Sequence, residues 1–176
     1  MLTSNSVFLR ELTLEDDFQI EAIASDIEVA QNTLTIPHPF PKGSAKEFIH
    51  FVLEETKHGS LVIYAIIEKK SNQLIGIINL EVNPVFRRGE LGYWIAKEYW
   101  GKGYGTEAAK CLLQYGFEVM NLHKIFAQAF SSNVGSSKIM QKIGLHYEGT
   151  LKEHVCRDGQ YHDLVVYGLL QKDFRN

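Results

Sequence analysis

Glu90-Leu91-Gly92-Tyr93-Trp94-Ile95-Ala96, then Lys97-Glu98-Tyr99-Trp100, then Gly101-Lys102-Gly103-Tyr104-Gly105-Thr106 is the stretch whose reading decides the fold. Its first part is short, apolar, aromatic and branched, which predicts a strand. Beyond Gly105, apolar residues recur at Ala109, Leu112, Leu113, Gly116, Phe117 and Met120, the spacing of one helix face. Three glycines at alternate positions lie between strand and helix. The first turn of a helix carries backbone N–H groups without internal partners and the positive end of the helix dipole. Glycines let an anion approach those amides closely, and Lys102 and Thr106 add a cation and a hydroxyl. The stretch therefore predicts a phosphate cradle; the plainer alternative is a turn that only links strand to helix. A Walker A loop is a poor match, because no lysine directly follows Gly105, and Thr106 stands where a dinucleotide fingerprint needs its last glycine.

Working outward, Leu61–Glu68 and Leu74–Val82 are strand-like and joined by a polar turn, and with the Glu90 strand they predict an antiparallel meander. Lys124–Phe130 is the next strand after the glycine-loop helix, so this strand–helix–strand unit makes its two strands parallel. Asn133 caps a further helix carrying Ile139, Met140 and Ile143, ended by Gly144. Leu145–Arg157 and Tyr161–Leu170 form a closing hairpin around Asp158-Gly159. Toward the start, Val7–Leu9 reads as a strand, and Thr13 with Asp16 as a capping box opening a helix with Phe18, Ala22 and Ile23. Pro37, Pro39 and Pro41 make 26–42 a loop or broken helix suited to walling a substrate site. Ser44 and Glu47 read as a second capping box, for a helix turning Ala45, Phe48, Ile49, Val52 and Leu53 inward.

The pattern is one mixed α+β domain spanning 1–176, and 176 residues at 45% hydrophobic suffice to bury a core. A net charge of −3 with no basic patch argues against nucleic acid and slightly favours a cationic partner such as an amine. Cys111 and Cys156 lack CxxC spacing, and the seven histidines lack ligand spacing, so neither a disulfide framework nor a metal is expected. Without a signal peptide or a membrane-spanning apolar run, the chain is expected to be cytoplasmic.

These residues resemble the GNAT superfamily of N-acetyltransferases, which transfer acetyl from acetyl-CoA to an amine. The family's Gln/Arg-x-x-Gly-x-Gly/Ala motif falls on Trp100-Gly101-Lys102-Gly103-Tyr104-Gly105, with tryptophan in first place as in the branch that acetylates ribosomal-protein N-termini. Asn133-Val134-Gly135-Ser136 followed by Lys142-Ile143-Gly144-Leu145 is similar to that branch's Asn-x-x-Ser…Lys-x-Gly-Phe, and Asp158–Asp163 completes the pattern. The resemblance implies a mostly antiparallel sheet with a parallel pair at its centre and helices on both faces. It implies that the CoA diphosphate sits on Gly101, Lys102, Gly103, Tyr104, Gly105 and Thr106. The pantetheine arm would run between the Glu90 and Lys124 strands, against Trp94, Ile95 and Ala96 and near Asn133 and Ser136. It also admits a homodimer.

Attack of an amine on a thioester needs a neutral nucleophile, donors for the oxyanion and a way to release thiolate. The resemblance gives the oxyanion to a backbone N–H near Ile95. It puts Met140, which has no proton to give, where many members carry a tyrosine acid, and assigns Ser136 the serine that the ribosomal-protein branch uses instead. The plainer role of Ser136 is a first-turn helix residue, and that of Asn133 an N-cap. Two bases are open. Glu90 heads its strand on one face with Gly92 and Trp94, and its plainer role is a solvated strand-end charge. His154 faces Asp163 if Asp158-Gly159 is a two-residue turn, a pairing that raises an imidazole pKa but is more often only a cross-strand contact. The branch carries a carboxylate near Val155, absent here. The expected activity is direct acetyl transfer in a ternary complex to the α-amine of a protein. A polyamine or aminoglycoside acceptor, or a CoA-binding module without catalysis, are the alternatives.

Overall fold

The computed structural model describes residues 1–175. Its frame is one eight-stranded sheet, with strands β1 (Leu2–Thr3), β2 (Val7–Arg10), β3 (Leu61–Glu68), β4 (Gln73–Asn83), β5 (Arg88–Ile95), β6 (Lys124–Phe130), β7 (His146–Arg157) and β8 (Gln160–Leu170). They lie in the order β1-β2-β3-β4-β5-β6-β8-β7, and every neighbouring pair is antiparallel except β5 with β6. The helices are α1 (Asp17–Ala24), α2 (Ile27–Ala30), α3 (Ser44–Lys57), α4 (Tyr104–Gln114) and α5 (Val134–Lys142). The α+β fold with its meander and parallel pair is as the periodicity predicts. Among the described residues, no helix is long and apolar enough to cross a membrane.

Two apolar clusters sandwich the sheet. On one face Leu91 and Ile95 of β5 and Ile125, Ala127 and Ala129 of β6 pack against Ala108, Ala109, Leu112 and Leu113 of α4 and Met140 of α5. On the other, Ile63, Ala65 and Ile77 pack against Ile20 and Ile23 of α1 and Ile49 and Val52 of α3. Each fully buried leucine or isoleucine contributes about 1.5–3 kcal/mol relative to exposure, so strict alternation along β5 fixes which residues face which layer.

Local chemistry departs from the sequence expectation at three places. Thr13 and Asp16 do form a reciprocal capping box, but it opens a short 3₁₀ turn, Leu14–Asp16, ahead of α1, and Phe18 stays 82% exposed. The second expected box is not made: Gly43, left-handed at φ +84°, is the N-cap of α3, and its N–H donates to the Glu21 carboxylate at 2.7 Å. In the closing hairpin, Val155 pairs with His162 as a two-residue turn requires, but the register shifts between Leu151 and Val155.

Candidate active site

The glycine loop lies where strand β5 gives way to α4. Gly101 and Gly103 have φ of +75° and +88°, and an ideal Cβ at either would meet no heavy atom within 4 Å. Backbone conformation, not crowding, therefore requires glycine, and the space around the loop stays open. Gly103 caps α4 without a side chain, so the first-turn amides of Tyr104, Gly105 and Thr106 form the free N-terminal end of the helix. Flanking side chains brace the loop. The Trp100 indole donates to the Ile95 carbonyl at 2.7 Å, and the Tyr104 hydroxyl donates to Glu68 on β3 at 2.5 Å. Lys102 Nζ lies 5.2 Å from the centre of the Tyr99 ring. Tyr104 can thus offer an anion only its backbone, whereas Lys102 stands as a cation beside the loop.

Next to the loop the sheet opens. β5 and β6 pair only at Arg88–Lys124, Gly89–Ile125 and Glu90–Phe126. Past that point β5 keeps its ladder to β4 as far as Ile95, and β6 keeps its ladder to β8 as far as Phe130, so the two strands part from each other. The Ala96 amide donates to the Ile75 carbonyl at 2.8 Å, while the Arg87 carbonyl accepts from His123 on the β6 side at 2.6 Å. Backbone groups alternate sides along a strand, so even-numbered residues of β5 bond β4 and odd-numbered ones turn toward β6. Beyond Glu90 the amide and carbonyl of Tyr93 and the amide of Ile95 face the gap. Of the expected coenzyme contacts, Ile95 turns its amide to the gap, Trp94 turns its backbone toward β4, and the Ala96 amide and carbonyl bond Ile75 and Tyr99. Trp94 packs at the edge of the α3-side cluster instead.

A pair of side chains bridges the gap on each face. On the α3 face the Gln128 amide donates to Glu90 at 3.2 Å. Beside it Gly92 lies opposite Asn79, and an added Cβ there would sit 2.7 Å from Asn79 Oδ1. Glu90 is half-buried on an open cleft of about 470 Å³ whose walls include Phe51, Glu55, Glu81, Arg88 and Phe126. Burial first, and then the charge of Glu81, push the Glu90 carboxyl above its ordinary range, against the opposing pull of Gln128 and Arg88. On the α5 face the Tyr93 hydroxyl lies 2.9 Å from Ser136 Oγ and 3.2 Å from the Ser136 carbonyl oxygen. Asn133 holds this end of α5, accepting from the Ser136 amide at 3.0 Å and donating to the Asn32 carbonyl at 3.1 Å. The Asn133 side chain is therefore committed to the protein at both ends. Largely buried Arg157 reaches from β7 to the carbonyls of Thr33 and Ile36 (the latter at 2.6 Å), so the proline-containing loop is clamped from two sides.

Glu90 and Ser136 thus lie on opposite faces of the gap, and His154 lies away from it. His154 is exposed on β7, two strands beyond β6. Its expected partner Asp163 accepts instead from Lys152 and from the Glu153 amide, both at 2.8 Å, because the irregularity in β7 moves His154 out of register. Met140 is fully buried in the core. Tyr93 and Gln128 went unread in the sequence; alternation along β5 could have placed Tyr93 on the α5 side, but Gln128 carried no signal.

The sequence profile of the acetyltransferase (GNAT) domain matches residues 6–146. The spermidine N(1)-acetyltransferase of Escherichia coli (strain K12) is 36% identical over 100 residues, covering 56% of this chain and 54% of that one. The ribosomal protein uS5-alanine N-acetyltransferase of the same strain is 27% identical over 139 residues, covering 78% and 71%. Among solved structures, a GNAT-family acetyltransferase from Bacillus anthracis superposes with a TM-score of 0.84 at 25% identity, over 97% of this chain and 98% of the other.

Proposed function

Because the chain belongs to the GNAT family and is an acetyl-CoA-dependent N-acetyltransferase, we propose that it is a cytoplasmic enzyme that acetylates the N-terminal α-amine of a polypeptide by direct attack within a ternary complex. The observation that carries this reading is the pair of bridges across the gap, Glu90–Gln128 on one face and Tyr93–Ser136 on the other. A thioester held between them has a carboxylate on the side of the open cleft and hydroxyls on the side of α5.

Each residue then has a task. The first-turn amides of Tyr104, Gly105 and Thr106, with Lys102, hold the CoA diphosphate. The gap-facing amide and carbonyl of Tyr93 pair with the pantetheine arm as an added strand would. The Ile95 amide donates to the carbonyl oxygen as it becomes an oxyanion. Glu90, its pKa raised by burial and by Glu81, accepts the proton that the attacking amine sheds. Ser136 donates to the sulfur as its bond to carbon breaks and the electron pair moves onto it. A covalent acyl-enzyme is not needed. Burial, reinforced by Glu107, pushes the Cys111 thiol up, and Cys156 lies exposed on β7.

Glu55, Glu81 and Glu90 favour a cationic acceptor, and Arg88 distinguishes between candidates. Its guanidinium lies 5.5 Å and 5.7 Å from the ring centres of Phe86 and Phe126, beside the path into the cleft. There it can donate to the carbonyls of a peptide that continues into solvent, but it repels the second ammonium of a polyamine. The three carboxylates keep a polyamine as the second reading. Release of CoA thiol from acetyl-CoA, measured with an alanine-headed peptide and with spermidine, decides. A higher kcat/KM for the peptide is expected. Preference for spermidine overturns the acceptor, and no release with either amine favours a binding module without catalysis.

A further inference from the structure

We propose that Tyr93 is a positioning residue for the leaving thiolate: its hydroxyl holds the Ser136 side chain so that the serine O–H points into the gap and binds the sulfur of CoA. The inference rests on CoA seating its sulfur between β5 and β6. Tyr93 lies three residues past Glu90, the last β5 residue paired with β6, and its side chain crosses to the first turn of α5. The Ser136 amide is already fixed by Asn133, so backbone and side chain of this serine are held from two directions. A phenol has one proton and here has two acceptors in reach, Ser136 Oγ at 2.9 Å and the Ser136 carbonyl at 3.2 Å. When the proton is directed to Oγ, the serine's own hydrogen is released for a third atom, and a hydroxyl that accepts one bond donates a stronger one. A lone first-turn serine would turn its proton freely to solvent or to a backbone carbonyl.

The proton balance keeps the tyrosine protonated throughout. Burial pushes the Tyr93 hydroxyl up to about 12, well above a thiol near 8.5, so tyrosine keeps its proton while sulfur departs. As the C–S bond breaks, the electron pair goes to sulfur, which accepts the Ser136 hydrogen bond. The proton lost by the amine goes to Glu90, and CoA thiolate is protonated by water after release. No oxidant or further reactant enters.

The test uses CoA itself, without any acceptor. The thiol of bound CoA is titrated by the ultraviolet absorbance of its thiolate in the parent protein, Tyr93→Phe, Ser136→Ala and the double variant, each corrected for protein alone. The parent is expected to lower the bound thiol's pKa below that of free CoA. Tyr93→Phe, which keeps the ring and its packing, is expected to raise it by about half a unit to one unit. Ser136→Ala, in the first turn of α5, should do the same, and the double variant should add nothing further. A Tyr93→Phe protein that binds CoA and titrates it like the parent overturns the proposal, as does full additivity. Absence of CoA-binding heat in the parent is a different failure: it removes the seating assumed under the proposed function, and this inference with it.

Discussion

Glu90 carries two opposite consequences of one environment. Burial and the neighbouring Glu81 disfavour its charged form, which makes the carboxylate a better proton acceptor and the folded protein less stable when it is ionised. The native pKa lies above the unfolded value, so between the two the native state binds more protons and stability falls as pH rises. Glu90→Gln is therefore expected to lower kcat/KM by about 100-fold and to abolish the acidic limb of the pH–rate profile. The same variant should unfold at a higher temperature than the parent at pH 7, with the difference vanishing near pH 4. Loss of activity without loss of that limb would assign the limb to another group. At this scale Glu90 was legible as the head of a strongly periodic strand, whereas Ser136 came into view through the family resemblance alone. The sequence could not set aside His154, since whether a strand bulges depends on contacts made by Lys152 and Glu153 with Asp163. Tyr93 drew no reading, because an aromatic at an inward strand position carries no mark of a hydroxyl partner on a distant helix.

The glycine loop was legible because its requirement is local: left-handed backbone at alternate positions before a helix. Gly103→Ala places a methyl group in open space at φ +88°, so its cost is conformational, about 1 kcal/mol of folding stability. On the proposed function that same open space receives the diphosphate, and the loss in thermal unfolding should be larger with CoA present than without. Equal losses would place the diphosphate elsewhere. The start of α3 shows the limit of local reading. Ser44 and Glu47 satisfy the capping pattern, yet Gly43 takes the cap because Glu21, on another helix, captures its amide. The parting of β5 from β6 was likewise invisible to spacing, since the residues past Glu90 are as strand-like as those before it.

Across the whole molecule the loop from Gln31 to Gly43 is held from far away in sequence, by Asn133 ahead of α5, by Arg157 on β7 and by Glu21 on α1. We take this loop, tied through Asn133 beside Ser136, as a wall that shapes acceptor binding, whereas the glycine loop lies beyond the end of β5. Arg157→Ala should therefore raise the KM for the amine by about three- to tenfold, the worth of one or two lost hydrogen bonds, while leaving CoA affinity unchanged. An equal change in both would mean that the clamp supports the fold at large. The fork between β5 and β6 has a consequence of its own. Its facing edges are unsaturated, like a zip left undone below its third tooth. On this reading the pantetheine arm is the missing slider: loaded, the two wings of the molecule share a continuous ladder, and emptied they are joined there by three rungs and two side-chain ties. Occupancy of the coenzyme slot and mechanical continuity of the molecule are then the same event.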